Sequence, residues 1–205
     1  MALLVVRRTI TPTKLHQSVD AINTINDREN DRLSELEQHW AKALAEAERR
    51  ARATGRHDIA EYVALRSAND LVRSAAIDWL ISTFTAMAAE ANRSGSSLQI
   101  EQQDGHRFRV GQATMIGRLL TLRLGVRAIK VEAGWPRTPP DGFVRGGGLA
   151  CGHIRHLGKP NSSEELLLTQ SRNKAPLWNV LEKSGQRAAL SEARIRKHFS
   201  ELMKT

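Results

Sequence analysis

Apolar and polar residues follow a helical period through the first half of the chain. From Leu15 to about Ala53, apolar and small residues recur at steps of four and three, which keeps one stripe of a helix against a partner. Gly55 marks a turn, and apolar residues then recur on one helical face from about Ile59 to Asn92. The pattern predicts two long helices joined as an antiparallel hairpin. We expect the hairpin to join two copies of the chain as a homodimer; the alternative is a hairpin packed only within one chain.

The pattern changes after the Ser-Gly-Ser-Ser segment at 94–97. Residues alternate with period two over 98–101 and 107–110 about an Asp-Gly turn, and again over 115–124 and 126–131 about Gly125. Further strand-like segments cover 143–144, 149–157 and 165–170, and helices are predicted over 177–183 and 191–204. The fold class predicted is α+β: a helical, oligomerising region over 1–94, then a small, mostly antiparallel β-domain with C-terminal helices over 98–205.

A stiff loop separates two of the predicted strands. Residues 134–148 hold three prolines and five glycines, which oppose regular structure. Three consecutive glycines follow Arg145, and their N–H groups offer a cradle for an oxyanion; the alternative is a simple bend between strands. Long irregular loops often carry function, so we expect a binding site of this domain to involve this loop.

Charge separates the two halves of the chain. The net charge is +9, and residues 98–205 carry all of it, with 18 Lys/Arg against 9 Asp/Glu. A basic surface of this kind predicts an anionic partner, with nucleic acid, DNA first, ahead of an acidic protein. Few aromatic residues accompany the basic ones, which favours phosphate contacts over base stacking. The candidate nucleic-acid-binding residues are Arg107, Arg109, Arg123, Arg127, Lys130, Arg137, Arg145, Arg194 and Lys197.

Two motifs suggest other chemistry. Cys151, His153 and His156 are ligand types for zinc, but strand alternation puts His156 on the other face, and no second cluster completes a set of four. Glu132 and Asp141 lie among basic residues, as the carboxylates of a metal-dependent nuclease do. No nucleophile or acid–base constellation converges. The sequence therefore predicts no cofactor and no metal, and favours a protein that is not an enzyme.

The remaining features indicate the cellular compartment in which the protein works. No stretch reaches the roughly 18 apolar residues of a membrane span. The apolar run at 2–10 precedes its basic residues, the reverse of a signal peptide, and predicts a first strand. A single cysteine fits a reducing compartment, so we expect a cytoplasmic protein. The leading hypothesis is a dimeric, non-enzymatic nucleic-acid-binding protein; the alternatives are an adaptor or inhibitor that engages an acidic protein, and a metal-dependent phosphodiesterase.

Overall fold

The computed structural model describes residues 42–171, 173 and 175–204. The strand predicted over 2–10 and most of the first predicted helix, with most of its apolar stripe, lie outside the described residues. Residues 42–53 are helical and form α1. A turn at Thr54 and Gly55 leads into the second predicted helix, which is confirmed as α2, His57–Arg93.

Seven antiparallel strands follow the helices and lie in the sheet in chain order, as a meander. This confirms the predicted α+β class. The order arises because each pair of consecutive strands is joined by a connection short enough to place them side by side. The strands are β1 Gln99–Val110, β2 Ala113–Leu124, β3 Arg127–Trp135, β4 Ala150–His156, β5 Glu164–Gln170, β6 Pro176–Leu181 and β7 Arg187–Ala189. A final helix, α3, covers Glu192–Met203.

The second half of α2 packs on one face of the sheet. Its side chains Leu80 and Phe84 are fully buried, and they share a core with Leu120, Ile129 and Ile154 of three neighbouring strands. Alternation along each strand directs every second residue to this face, which we call the helix face. Burying a large apolar side chain contributes about 1.5–3 kcal/mol, so this layer is the main source of stability.

The C-terminal helix α3 closes the same core. Ser191 caps it, because the Ser191 hydroxyl accepts a hydrogen bond from the backbone N–H of Arg194. Ile195, Phe199 and Leu202 are buried at helical spacing, within the helix predicted over 191–204. The Phe199 ring lies 5.8 Å from that of Phe84, which ties α3 to α2.

The helix predicted over 177–183 is wrong: this segment is strand β6. Trp178 and Val180 are buried in the core, whereas Leu177 is exposed. That is the period of two expected of a strand, and pairing with β5 and β7 stabilises it. The described part of the chain thus has one C-terminal helix where more than one was predicted.

The hairpin predicted at Asp104-Gly105 is also absent, because both of its arms belong to the single strand β1. β2 is 12 residues long and pairs with both arms, and the register shifts between Gln103 and His106. Gly105 has a positive φ of 66° and is accommodated in this bulge. Tertiary pairing to a long neighbour therefore prevails over the local turn signal.

The proposed division into 1–94 and 98–205 stays a prediction. The structure shows that Ala76, Leu80, Phe84 and Ala88 of α2 pack in one cluster with the sheet. Among the described helices, including the 37-residue α2, none combines the length and the apolar character needed to cross a lipid bilayer.

Strands β2 and β3 approach each other closely at two facing glycines. Gly117 is paired with Gly134 across the two strands. A Cβ on Gly117 would lie 1.9 Å from the carbonyl oxygen of Ala133, and a Cβ on Gly134 would lie 2.7 Å from backbone atoms of Ile116. Only glycine fits such contacts, because the obstructing atoms are backbone atoms.

Gly117→Ala is therefore expected to lower the free energy of unfolding by about 3 kcal/mol or more, measured by urea denaturation. Gly125→Asn is the matched control, since Gly125 has open space around its Cα and a left-handed φ of 59° that asparagine tolerates. Equal stability of the Gly117 variant and the parent would contradict the close approach of the two strands.

Candidate functional site

The face of the sheet opposite the helices carries most of the candidate chemistry. Side chains there alternate with those of the core and come from β1 to β7, and we call this side the open face. In the described structure, the second half of α2 and α3 place their buried apolar residues in the helix-face core, and the smaller cluster on the open face contains no helical residue. The open face has an apolar end and a polar end.

Glu132 is the central residue of the polar end. It is buried, and its two carboxylate oxygens meet two imidazoles: Oε2 lies 2.9 Å from His106 Nε2, and Oε1 lies 3.0 Å from His153 Nδ1. Arg155 Nη2 also lies 3.2 Å from Oε1. Burial alone would raise the pKa of Glu132, but hydrogen bonds with His153 and His106 and the charge of Arg155 outweigh burial, so this pKa lies below its usual value.

The neighbouring strands bring these partners together. His153 on β4 is directly opposite Glu132 on β3. His106 lies on β1, two strands away, and it is paired with Gly117 of the intervening β2. Because Gly117 has no side chain, the imidazole of His106 extends across β2 to the carboxylate. Phe108 packs against both rings, with centroid distances of 5.7 Å to His106 and 5.8 Å to His153.

The apolar end of the open face is covered by the loop that follows β3. Val144 of this loop packs on a cluster formed by Phe108, Ala113, Met115, Cys151 and Leu167. A Cβ on Gly148 would lie 2.4 Å from Leu167, and the carbonyl of Gly146 accepts a hydrogen bond of 2.8 Å from Arg187. Loop 134–148 thus packs as a cover over apolar residues, and its role as a binding site stays a prediction.

Three basic residues lie side by side at the polar end. Thr121, Lys130 and Arg155 are directly opposite one another on β2, β3 and β4, and Arg123 is two residues from Thr121 on the same face. Lys130 is exposed, and the side chain of Arg155 is 53% exposed. No acidic group of the described residues forms an ion pair with Lys130 or Arg123. We call Arg123, Lys130 and Arg155 the cationic row.

The other predicted basic residues lie elsewhere. Arg107 and Arg109 project from the opposite side of β1, where Arg107 lies 3.6 Å from Asp141. Arg127 hydrogen-bonds to the carbonyl of Lys204. It is opposite Leu124, and because successive residues of β2 point to opposite faces, Arg127 lies on the other face from Arg123.

Two predicted residues belong to the loop, and two belong to α3. The guanidinium of Arg137 stacks 3.6 Å above the Trp135 ring at the rim of the helix face, and that of Arg145 lies beside Gly111. Arg194 forms ion pairs with Glu164 and Glu182, and Lys197 lies nearby in a groove. Of the nine candidate residues, the structure therefore brings together Arg123 and Lys130. It adds Arg155 to this group, a residue that the sequence did not indicate.

The two motifs considered for metal binding do not assemble. Cys151 and His153 are on the open face, whereas His156 meets α3 on the helix face, as alternation predicted. Burial raises the pKa of the Cys151 thiol to about 11, which disfavours the thiolate. Asp141 is held within its own loop by the backbone N–H and the hydroxyl of Thr138. Within the described ranges, no three His, Cys, Asp or Glu side chains are arranged to hold a metal ion.

A second polar cluster joins α3 to the sheet. His156 Nε2 lies 2.8 Å from His198 Nδ1, and His198 Nε2 lies 3.2 Å from Glu164 Oε2. Arg194 adds a hydrogen bond of 2.9 Å from Nε to Glu164. Burial would raise the pKa of Glu164, but the hydrogen bonds from His198 and Arg194 outweigh it and hold the pKa at about 2. His198 is 5% exposed, so its imidazole belongs to the packing of α3 on the sheet.

An open groove of about 1050 Å³ lies beside this cluster, between α3 and strands β5 to β7. Glu164, Glu182, Lys183, Arg194 and Lys197 line it, with positive and negative groups intermixed. The intermixed charges do not single out a ligand class, and the ion pairs of Arg194 are part of the packing of α3.

The first prediction from this site concerns the buried carboxylate. Glu132→Gln is expected to lower the free energy of unfolding by about 2–3 kcal/mol, because two imidazoles and one guanidinium lose a charged partner. Glu165→Gln is the control on the next strand but one, where the side chain is exposed, and we expect a change within about 0.5 kcal/mol. Chemical denaturation measures both; similar values for the two variants would show that Glu132 does not hold this end of the sheet together.

The second prediction concerns the stability of the protein at acidic pH. The pKa of His156 is lowered by burial and by the neighbouring His198, while Lys159 opposes its charge and Glu201 and Glu164 favour it. A histidine with a lowered pKa contributes stability that is present above its ordinary value of 6.5 and is lost as the pH falls through the lowered pKa. Glu164, with its pKa of about 2, keeps its contribution throughout this window.

We therefore expect the melting temperature of the parent to fall below pH 6.5 more steeply than that of His156→Gln, whose side chain cannot take up the proton. Melting curves of both proteins from pH 7.5 to pH 5 measure the difference. Parallel pH dependence of the two would contradict the buried histidine pair.

No family model, no curated protein and no solved structure matches this chain, so the geometry of its residues carries the functional argument.

Proposed function

We propose that this protein binds nucleic acid through the open face of its sheet, with the cationic row in contact with backbone phosphates. The observation that carries the proposal is the alignment of Lys130 and Arg155 on adjacent strands, with Arg123 beside them, on a face that α2 and α3 leave uncovered. Phosphate neutralisation by Lys and Arg releases condensed counterions, which favours binding without any contact to bases.

The spacing of the cationic row suits a charged backbone. Side chains directly opposite each other on paired strands have Cβ atoms about 4.5–5.5 Å apart. Arg123, Lys130 and Arg155 lie on three successive strands, and therefore extend over roughly 10 Å across the strands, two separations of about 4.8 Å each. Arg123 is also displaced by two residues along β2, because it is opposite Ala128 and Lys130 is opposite Thr121. A row of this length can reach more than one phosphate of a nucleic-acid backbone.

Glu132 offsets the charge of Arg155 in part, whereas Lys130 and Arg123 form no ion pair with the described acidic residues. The Glu132 carboxylate is buried and already contacts His106, His153 and Arg155. The pair with Glu132 also fixes one end of the Arg155 guanidinium, which reduces the side-chain entropy lost on binding a phosphate. Glu101, exposed on β1 and opposite Thr121, marks the limit of the cationic row on that side.

The rest of the chain supports contact with phosphates over base recognition. Phe108 is buried among its neighbours, so the open face presents no described aromatic ring for a base to stack on beside the cationic row. We take DNA as the first partner and a cytoplasmic, reducing compartment as the place. The two alternatives, an acidic protein partner and a nuclease, have no separate contact in their favour, because both oxygens of Glu132 are engaged by imidazoles.

The double variant Arg123→Glu/Lys130→Glu tests this proposal. We expect the affinity for a random-sequence 20-base-pair duplex to fall at least ~10-fold at low salt. The slope of log affinity against log salt is expected to fall by about 0.9 for each phosphate that the variant no longer neutralises. Fluorescence anisotropy between 50 and 200 mM salt measures both quantities, and single-stranded DNA and RNA are measured beside the duplex.

The control is Arg93→Glu/Lys183→Glu, which makes the same change in net charge at the end of α2 and in the turn after β6. It is expected to bind within about threefold of the parent, because a charge change away from the bound phosphates acts only through long-range steering. Equal reductions of affinity in both variants would show that the row has no special role. A parent that binds none of the three nucleic acids, even at 50 mM salt, would overturn the proposal.

A further inference from the structure

Helix α2 carries a stripe of apolar and small residues that the described sheet and α1 leave uncovered. We call it the outer stripe. Its members are spaced by three and four residues in turn, the period of a coiled-coil seam, and are Leu65, Ala68, Val72, Ala75, Trp79, Ser82 and Ala86. All of them are exposed except Val72, which is half-buried; Leu65 is 61% exposed and Trp79 is 50% exposed. A contiguous, uncharged surface of this kind on a helix marks an interaction site.

The outer stripe lies on the opposite side of α2 from its buried residues. A step of two residues turns an α-helix by about 200°. Leu65 follows the buried Val63 by two residues, and Trp79 precedes the buried Ile81 by two. Ile81 packs in the core with the sheet, so the sheet occupies the other side of α2 at the level of Trp79.

Helix α1 also packs on a different side of α2. Ala51 of α1 and Ala60 and Val63 of α2 are buried, yet they belong to neither apolar cluster of the sheet. A short turn folds α1 back along α2, so these three residues lie where the two helices meet. Leu65 stays exposed beside them, which leaves the outer stripe to a partner other than α1.

We propose that the outer stripe packs against the outer stripe of a second copy of this chain, as an antiparallel coiled coil. The sizes of its residues select this partner, because large and small residues alternate along it. When one helix is reversed, each large residue meets a small one, in the pairs Leu65 with Ser82, Trp79 with Ala68 and Val72 with Ala75. Such layers have similar widths, so the two helices pack evenly along their length.

A parallel pair of the same stripes would pack poorly. It would place each residue opposite its own copy, with Trp79 against Trp79 and Ala75 against Ala75. Wide and narrow layers would then alternate, and the narrow ones would leave cavities. The antiparallel arrangement is also reciprocal, as a two-fold axis requires, and this axis passes between residues 73 and 74.

The paired layers extend over about 26 Å of helix, at 1.5 Å per residue. A single pair of helices of this length buries less area than a standard protein interface, so we expect a dimer that dissociates on dilution. This inference depends on α2 alone and is independent of nucleic-acid binding, since the cationic row lies on the open face of the sheet.

The mass of the full chain in solution, measured over a concentration series, tests the dimer. Ala75→Glu places a charge in the middle of both stripes and is expected to raise the dimer dissociation constant at least ~10-fold. Ala75 is exposed, so the substitution leaves the packing of a single copy intact. Val126→Glu is the matched control: Val126 is 89% exposed in the turn between β2 and β3, and the variant is expected to match the parent.

Cross-linking tests the direction of the pair. Leu65→Cys and Ser82→Cys chains are prepared separately, mixed, and treated with a short bis-maleimide. We expect a cross-linked dimer in the mixture and little in either chain alone, because two copies of position 65 would lie roughly 26 Å apart along the helices. Cys151 is buried, and the parent chain controls for its reaction.

Three results would overturn the proposal. A parent that is monomeric at every concentration excludes a second copy as the partner, and slow maleimide labelling of Leu65→Cys in that monomer would assign the outer stripe to another segment of the same chain. A dimer that Ala75→Glu leaves unchanged would place the interface elsewhere. Cross-linking of the Leu65→Cys chain alone, as strong as in the mixture, would show a parallel pair.

Discussion

Burial of the larger apolar core on one face of the sheet is the constraint on which the rest of this structure depends. Leu80 and Phe84 of α2 and Ile195 of α3 fill the helix face, and each fully buried side chain contributes about 1.5–3 kcal/mol. Since this layer holds the strands in register, the other face is free to carry groups that contribute less to folding. A partly polar face on an antiparallel sheet is the expected consequence of one-sided burial.

Two carboxylates, one buried and one half-buried, show how this sheet accommodates charged groups that are shielded from water. Glu132 on the open face and Glu164 beside α3 each contact at least one imidazole and one guanidinium, and in both the pKa stays below its usual value although burial acts in the opposite direction. A buried ion that loses its partners lowers the stability of the folded state. Each cluster therefore fixes the positions of the strands or the helix that supply the partners. The Glu132 cluster joins β1, β3 and β4, and the Glu164 cluster joins α3 to β4 and β5. The proposed binding surface lies beside the first of these rigid supports.

How much of this structure the sequence predicts depends on how far apart along the chain the residues that form each feature lie. Helix α2 and the hairpin of β2 and β3 follow from local periods of 3.6 and two residues, and both were predicted. The segment 177–183 is too short for periodicity to separate strand from helix, and its pairing with β5 decides the outcome. The Asp104-Gly105 turn signal is local, but a long partner strand turns it into a bulge. Interactions such as His156 with His198, 42 residues apart, have no local signature at all.

The cationic row illustrates the same limit for function. Arg123 and Lys130 were candidates because they are basic, and so were Arg137 and Arg194, which the fold uses to cover Trp135 and to bind Glu164. Arg155 was not a candidate, yet its strand places it beside Lys130. The net charge therefore predicts an anionic partner for the second half of the chain. Only the strand register distinguishes the arginines that stabilise the fold from those that face outward.

The two edges of the sheet differ in a way that bears on assembly. At one edge, β7 has three residues and its Arg187 is drawn toward Gly146 of the loop, so little backbone is left for another strand to pair with. At the other edge, β1 is four times as long. Proteins that stay monomeric blunt such an edge with prolines, inward charges or a covering segment. The β1 bulge interrupts this edge locally but leaves both of its arms extended.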